Sequence, residues 1–401
     1  MNRRTLVVST FNYNRRAWNG VCYEFAELLR RIEGADVIAP QAVAPCLPLN
    51  ASLLHVMQDH RVSLRAMART LYMMRTGSLF ERSEVAGDYD VCLFMCQFLR
   101  ELPNVERVRG WRSRSRLAVA FILETWTNAV ERSKADLALL DKFDHVFVLN
   151  ADSVPALQRH TRTPVSFLPT GADCLAASIL KPAPRTIDVL CFGRRVPAVH
   201  ERMLEIARER GWFYLFDIWG GIQATDWAAA RAANADLVRR SRHFIAWDPS
   251  VSSNHTAMIG SDRALTTRYF EAAAGGAIIL GSRTPGPAFD SCFDWDDAVV
   301  EISPDGRDLA QRLDELEADP ERCADARRTN QVQSLLRHDW AYRWDHVLKT
   351  FGLPRSEAHE ARVARLHERA RVIEAEATPV PWLAKGARAA MTGEMRVSRA
   401  I

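Results

Sequence analysis

Residues 268–280 read RYFEAAAGGAIIL. The first seven suit a short helix of mostly small and apolar side chains, Gly275-Gly276 stops it, and Ala277–Leu280 has the continuous apolar character of a strand buried on both faces. A helix that turns at glycine into such a strand is one unit of a parallel sheet covered by helices. Glu271 is the misfit, expected in the first turn of that helix. It is either a solvated charge that suits the positive helix end or a carboxylate turned to a ligand cleft.

The same alternation extends in both directions. Upstream, strand-like runs fall at Leu6–Ser9, Val37–Ala39, Val91–Met95, Leu117–Leu123, Val146–Leu149 and Val165–Leu168. Between them lie a helix striped by Val21, Phe25, Leu28, Leu29 and Ile32, an amphipathic helix carrying Leu64, Met67, Leu71 and Met74, a helix near 131–141, and one from Ser153 to about His160. The stretch PTGADCLAASILKPAPRT (169–186) breaks the pattern with turn and proline signals and reads as a linker. A second series follows, with strands at Ile187–Phe192, Phe213–Phe216, His243–Trp247, Ala277–Leu280 and Ala298–Ile302, a helix striped by Val199, Met203 and Ile206, and closing helices at 306–318 and 321–336. The charged run SEAHEARVARLHERARVIEAEA carries only a narrow stripe (Val363, Leu366, Ala370, Ile373), as suits a helix lying across another domain. Residues 377–401 are polar, basic and poorly patterned, as in a disordered tail. The expected fold is α/β, two doubly wound Rossmann-like domains facing across a cleft, the first from 1–173 with 352–401 returning to it, the second from 185–351.

The 401 residues suit two domains, and the net charge of +4 is too mild to announce a nucleic-acid partner. Eight cysteines are scattered without a CxxC pair, which points to reduced, buried thiols in a cytoplasmic protein and away from a disulfide frame or zinc. MNRRTLVVST reads as a first strand, not a signal peptide, and no apolar run approaches the length that crosses a bilayer. The chain is expected to be soluble, at most peripheral to a membrane. GxxxxGK[ST], a GxGxxG after the first strand, HExxH and GxSxG are absent, and FDWDD (293–297) reads as a solvated acidic turn.

Two segments invite a ligand. IDVLCFGRR (187–195) is a buried strand ending in Gly193-Arg194-Arg195, where ligands of open parallel sheets bind, and forked guanidinium groups there suit a diphosphate. The plain alternative is a turn glycine with two solvent-facing arginines. In SDRALTTRYFEAAAGG, Thr266 or Thr267 is a candidate N-cap, so the following helix would aim free N–H groups at an anion. Glu271, slightly further along, could accept hydrogen bonds from the vicinal hydroxyls of a ribose. The competing reading is a surface pair between Arg268 and Glu271.

GSDRALTTRYFEAAAGGAIILGS and the later ISPDGRDLAQRLDELEADPERCADARRTNQVQSLLRHDWAYRWDHVL resemble the C-terminal half of GT-B glycosyltransferases, above all retaining nucleotide-sugar transferases and relatives of spore-maturation proteins. The likeness covers roughly 185–350 and includes an R-x-F-E-x-x-A-x-G-like pattern and a closing H-x-W-x-x-R helix. Asn19-Gly20 before the first helix and LPTGAD before the linker resemble the family more loosely. The resemblance implies a glycosyltransferase that uses a nucleotide-diphosphate sugar, with a glycan, lipid-linked or small-molecule acceptor. The arginines available to neutralise the leaving diphosphate mean that no metal or other cofactor is expected. The resemblance assigns Glu271 to the donor ribose, Arg194 to the donor diphosphate beside the Gly193-Arg195 turn read above, and the backbone at Thr266 and Thr267 to the distal phosphates. Where many retaining members carry a second Glu, this chain has Arg263, which with Arg268 joins the candidate cations.

Transfer makes an oxocarbenium-like centre while negative charge grows on the leaving diphosphate, so fixed cations and helix N–H groups are the main requirement. On the acceptor side Glu124, at the carboxyl end of the run AFILE, is the candidate base if configuration inverts; a strand-end cap is the alternative. Arg61, Arg65 and Arg69 on one helix face, and Arg107, Arg109, Arg112, Arg114 and Arg116 in one loop, are ordinarily solvated but could attract an anionic acceptor or membrane surface. A nucleotide-sugar epimerase of the same shape and a non-catalytic glycan-binding relative are the rival functions.

Overall fold

The computed structural model describes residues 3–12, 15–41, 81–180, 184–216, 224–252 and 259–375. The expected helix around Leu64–Met74, the row Arg61, Arg65, Arg69 and the tail beyond residue 375 lie outside these.

Six parallel strands make the first sheet: β1 (Thr5–Ser9), β2 (Asp36–Ile38), β4 (Tyr89–Phe98), β6 (Ser115–Glu124), β7 (His145–Val148) and β8 (Val165–Phe167), in the order β2-β1-β4-β6-β7-β8. The short β3 (Ser83–Glu84) and β5 (Val108–Arg109) pair with each other beside it. A second parallel sheet runs β10-β9-β11-β12-β13, with β9 (Ile187–Cys191), β10 (Tyr214–Phe216), β11 (Ser241–Ala246), β12 (Ile278–Gly281) and β13 (Val300–Glu301).

Alternation along each strand explains the apolar runs. In the first sheet Val91, Leu93, Val119 and Phe121 face one core while Cys92, Phe94, Ala118 and Ala120 face the other. Leu190, Phe244 and Ile279 likewise oppose Val189, Ile245 and Ile278 in the second sheet. Strands covered on both faces have no polar side to show, so hydrophobicity is continuous. The seven described cysteines are buried and form no disulfide among the described residues.

Four elements differ from the sequence expectation. The helix near 131–141 is broken into Thr127–Arg132, Lys134–Leu137 and a 3-10 turn Ala138–Lys142. A helix at Trp227–Arg239 was not anticipated; Asp226 caps it by accepting the Ala229 N–H at 3.0 Å. The return to the first domain begins before residue 352. Trp340, at the start of the helix Trp340–Thr350, stacks on Phe25 at 4.7 Å, and Trp344 joins the same core. The charged helix Glu357–Ala375 then lies over this seam, burying Leu366, Ala370 and Ile373, and Arg362 ties Asp339 (2.7 Å) to Asp173 (2.8 Å). Finally, the acidic turn is not merely solvated: Asp297 pairs with both nitrogens of the Arg322 fork at 2.6 and 2.7 Å, and Asp294 pairs with Arg337.

The H-x-W-x-x-R helix is explained by packing. His338 is buried with its Nε2 at 2.9 Å from the Cys292 carbonyl, and the Arg343 Nε donates to the Thr170 carbonyl at 2.7 Å. The second of these bonds crosses the junction between the domains, while the first fixes the start of the helix within the second domain.

Candidate active site

Between the carboxyl ends of the two sheets lies a cleft of about 980 Å3, within the size range of small-molecule sites. Its walls are the loops that follow β1, β4 and β6 on one side and β9, β11 and the start of the helix Thr267–Ala274 on the other.

The second-domain wall is built on two glycine turns. Gly193 adopts φ +83°, which places Arg194 and Arg195 at the cleft, while Gly276 at φ +64° reverses the chain from helix into β12. Beneath the first turn lies Arg268. It is buried, and its Nη1 donates to the carbonyls of Arg194 (2.8 Å) and Phe192 (3.4 Å). Arg268 therefore shapes the loop from beneath while also lining the cleft. Thr266 is the N-cap residue in extended conformation, but its hydroxyl caps nothing and has no hydrogen-bond partner. Thr266 and Thr267 border the cleft at the start of this helix, the end whose first-turn N–H groups suit an anion.

Glu271 lies one turn further in than expected, in the second turn of the eight-residue helix. It is 7% exposed and does not pair with Arg268. Its Oε1 is 2.7 Å from the Arg231 Nη1 and accepts the Asn234 Nδ2 at 3.1 Å, while Oε2 has no hydrogen-bond donor among the described residues. Arg231 also meets Glu24 of the first domain at 3.0 Å, so one buried cation joins two carboxylates across the domains. Burial works against the Arg231 charge, but Glu24 and Glu271 together carry its pKa above the ordinary value. Glu24 is raised by burial despite Arg231, with Asp173 adding to the rise.

On the first-domain wall Glu124 reaches the cleft from the carboxyl end of β6, as expected. Its Oε2 pairs with the Arg194 Nη2 at 3.2 Å across the gap, and its Oε1 accepts the Gln97 Nε2 at 3.1 Å. Gly20 lines the cleft where a Cβ would stand 3.0 Å from the Arg231 Cδ. Asn19 does not line it: the side chain is buried and donates to the Phe11 carbonyl at 3.1 Å, an anchor for the loop.

Behind this wall Glu101 is buried, accepting the Thr10 hydroxyl at 2.6 Å and the Gln97 N–H at 3.2 Å. Burial raises its pKa to about 6 from 4.5, outweighing those hydrogen bonds. A carboxyl raised on folding contributes stability that is full below its unfolded pKa and lost as pH rises through the folded one. Wild type should therefore lose about 2 kcal/mol relative to Glu101→Gln between pH 4.5 and pH 7. Urea unfolding of both proteins across that range checks it; parallel pH profiles would contradict it.

Two expected groups point elsewhere. Arg263 bonds Ser250, lies 4.0 Å from Asp248, and its N–H donates to Asp152 at 2.8 Å, so it is not a cleft cation. Its neighbour Asp262 accepts the Thr127 N–H at 2.6 Å and the Asn150 Nδ2 at 3.3 Å, tethering this loop to the first domain. The arginines of 107–116 also lie off the cleft. Arg107, Arg109 and Arg112 border a separate hollow of about 700 Å3, and Arg112 pairs with Asp144 at 3.2 Å. Conversely, Arg231 and Asn234 escaped the sequence reading; the capping Asp226 before an Ala-rich run was the available signal for their helix. No group of three or more His, Cys, Asp or Glu able to hold a metal occurs among the described residues, and none of their helices is long and apolar enough to cross a membrane.

Residues 194–349 match a family model described as glycosyl transferase-like. No curated protein matches the chain. Among solved structures, an alpha-glucosyltransferase in complex with UDP-glucose and DNA containing an abasic site is similar at TM-score 0.54 and 11% identity, over 87% of this chain and 99% of that one. An alpha,alpha-trehalose-phosphate synthase (UDP-forming) from Burkholderia vietnamiensis gives TM-score 0.49 at 11% identity, over 87% of this chain and 99% of that one. Anabaena Alr3699/HepE in complex with UDP gives 0.48 at 12%, over the same shares of 87% and 99%. The family match falls on the segment that carried the resemblance, and the two facing parallel-sheet domains have the GT-B fold. The family match bears out the glycosyltransferase resemblance of that segment, and the structural likeness bears out the expected fold.

Proposed function

We propose that this chain, GT-B in fold and glycosyl transferase-like over residues 194–349, moves a sugar from a nucleoside-diphosphate sugar held in the cleft to an acceptor on the first-domain wall. The observation that carries this is Glu271. Its Oε1 is engaged by Arg231 and Asn234 while Oε2 is left for the ribose hydroxyls, one turn from the anion-binding helix start. A carboxylate fixed in this way accepts hydroxyl hydrogen bonds with little reorganisation.

The diphosphate then lies against Arg194, Arg195, the Thr266 hydroxyl and the first-turn N–H groups. As the bond from sugar C1 to the leaving oxygen breaks and the acceptor oxygen bonds to C1, these groups take up the charge that grows on the diphosphate. Binding of the phosphates draws Arg194 from Glu124, and the freed carboxylate turns to the acceptor hydroxyl, whose proton it is placed to take.

A thermal-shift series with UDP, GDP and ADP, and then with their sugars, tests this reading. UDP comes first because the similar alpha-glucosyltransferase holds UDP-glucose. A shift from a nucleoside diphosphate supports the reading; no shift from any of them defeats it. Arg194→Ala should weaken UDP by about tenfold and UMP far less, as titration calorimetry would show. Equal losses for both nucleotides would place the phosphates away from Arg194.

A further inference from the structure

Five guanidinium groups, those of Arg100, Arg194, Arg195, Arg231 and Arg268, line the described cleft against two carboxylates, Glu124 and Glu271. Arg231 is tied to Glu271, Arg194 to Glu124, and Arg268 to backbone carbonyls. The donor diphosphate answers the cations of the second-domain wall. Arg100 remains. It sits on the opposite wall, exposed, 4.1 Å from the centre of the Phe98 ring, with no ion pair among the described residues.

Trp18 lines the same cleft and is 43% exposed, the most exposed tryptophan among the described residues. Burial in the chain's own core does not account for it. Trp18 follows β1, Arg100 follows β4 and Glu124 ends β6, and these three strands are consecutive in the sheet. Neighbouring strands lie about 4.8 Å apart, so the wall presents an aromatic face, a cation and a carboxylate in that order.

A pyranose has an apolar C–H face that suits a flat indole, whose ring is rigid and amphipathic. A planar guanidinium suits a carboxylate or phosphate. We propose that the acceptor is an anionic sugar, its ring against Trp18 and its acid group on Arg100, with the hydroxyl to be glycosylated directed at Glu124. The inference rests on the donor reading above and adds the acceptor's chemical class.

Isothermal titration of the UDP-saturated protein with methyl β-glucuronide, glucose 1-phosphate and methyl β-glucoside tests it. At least one acidic probe should bind about fivefold tighter than the neutral one, the scale of an exposed ion pair, and whichever acid is preferred separates carboxylate from phosphate. High salt should shrink the preference. Arg100→Gln should abolish it, while Trp18→Ala should weaken every probe that binds. Equal binding of all three, binding of none, or a preference that survives Arg100→Gln would overturn the proposal, with UDP binding intact. Failure of UDP itself to bind would overturn the donor reading instead.

Discussion

Arg231→Met should lower the unfolding free energy at pH 7 by about 3–5 kcal/mol, the cost of leaving buried charges without their partner. Arg231 is the shared cation of Glu24 and Glu271, at 3.0 and 2.7 Å, and both acids are largely withdrawn from solvent. Methionine keeps much of the volume and removes the charge. Glu24 retains the Trp340 indole N–H at 2.9 Å and the Asp173 N–H at 3.2 Å, which offset part of the loss. Adding Glu24→Gln to Arg231→Met should restore some stability, because one unpaired charge is then removed. Burial already raises the Glu24 pKa, so the penalty should also be smaller at pH 5 than at pH 7. Urea unfolding supplies each value. A loss below about 1 kcal/mol, the size of an exposed pair, would contradict this account of the interdomain bridge.

Glu271→Gln should abolish most of the response to UDP. At a hundred times its Kd a ligand adds about 2.7 kcal/mol of stability. Replacing a carboxylate that accepts two hydroxyls should weaken binding by about a hundredfold, which leaves about 0.4 kcal/mol at the same concentration. The deoxy ligand separates this effect from a general loss of fold. Wild type should prefer UDP to 2′-deoxy-UDP, and the variant should bind both alike. A variant that binds UDP as well as its parent, or that keeps the preference, would remove Glu271 from the ribose.

The sheets were legible because their strands are covered on both faces. Runs such as LAVAFIL and VCLFM have no other soluble explanation, and β4 and β6 fall where those runs lie. The turn at Gly193 and the end of the helix at Ala274 were equally clear, since the local chemistry of glycine decides them. Side-chain destinations were not. Arg263, Arg268 and Arg194 look alike in the sequence, yet one bonds Ser250, one holds backbone carbonyls, and one faces Glu124 across the cleft. An arginine long enough to reach several partners takes the one that tertiary packing brings near, and no periodicity encodes that choice. Arg231 was missed for a related reason: its partners are 207 positions away at Glu24 and 40 away at Glu271. The Trp340 helix falls within the expected second domain by its place in the sequence, yet its stack on Phe25 joins it to the first-domain core.

The most direct test is a crystal structure of the protein with UDP bound. The account predicts ribose hydroxyls on the Glu271 Oε2, with Arg231 still on Oε1, and phosphates against Arg194, Arg195 and the Thr266–Thr267 turn. A nucleotide lodged outside the cleft, or one in the cleft whose ribose turns away from residue 271, would contradict it.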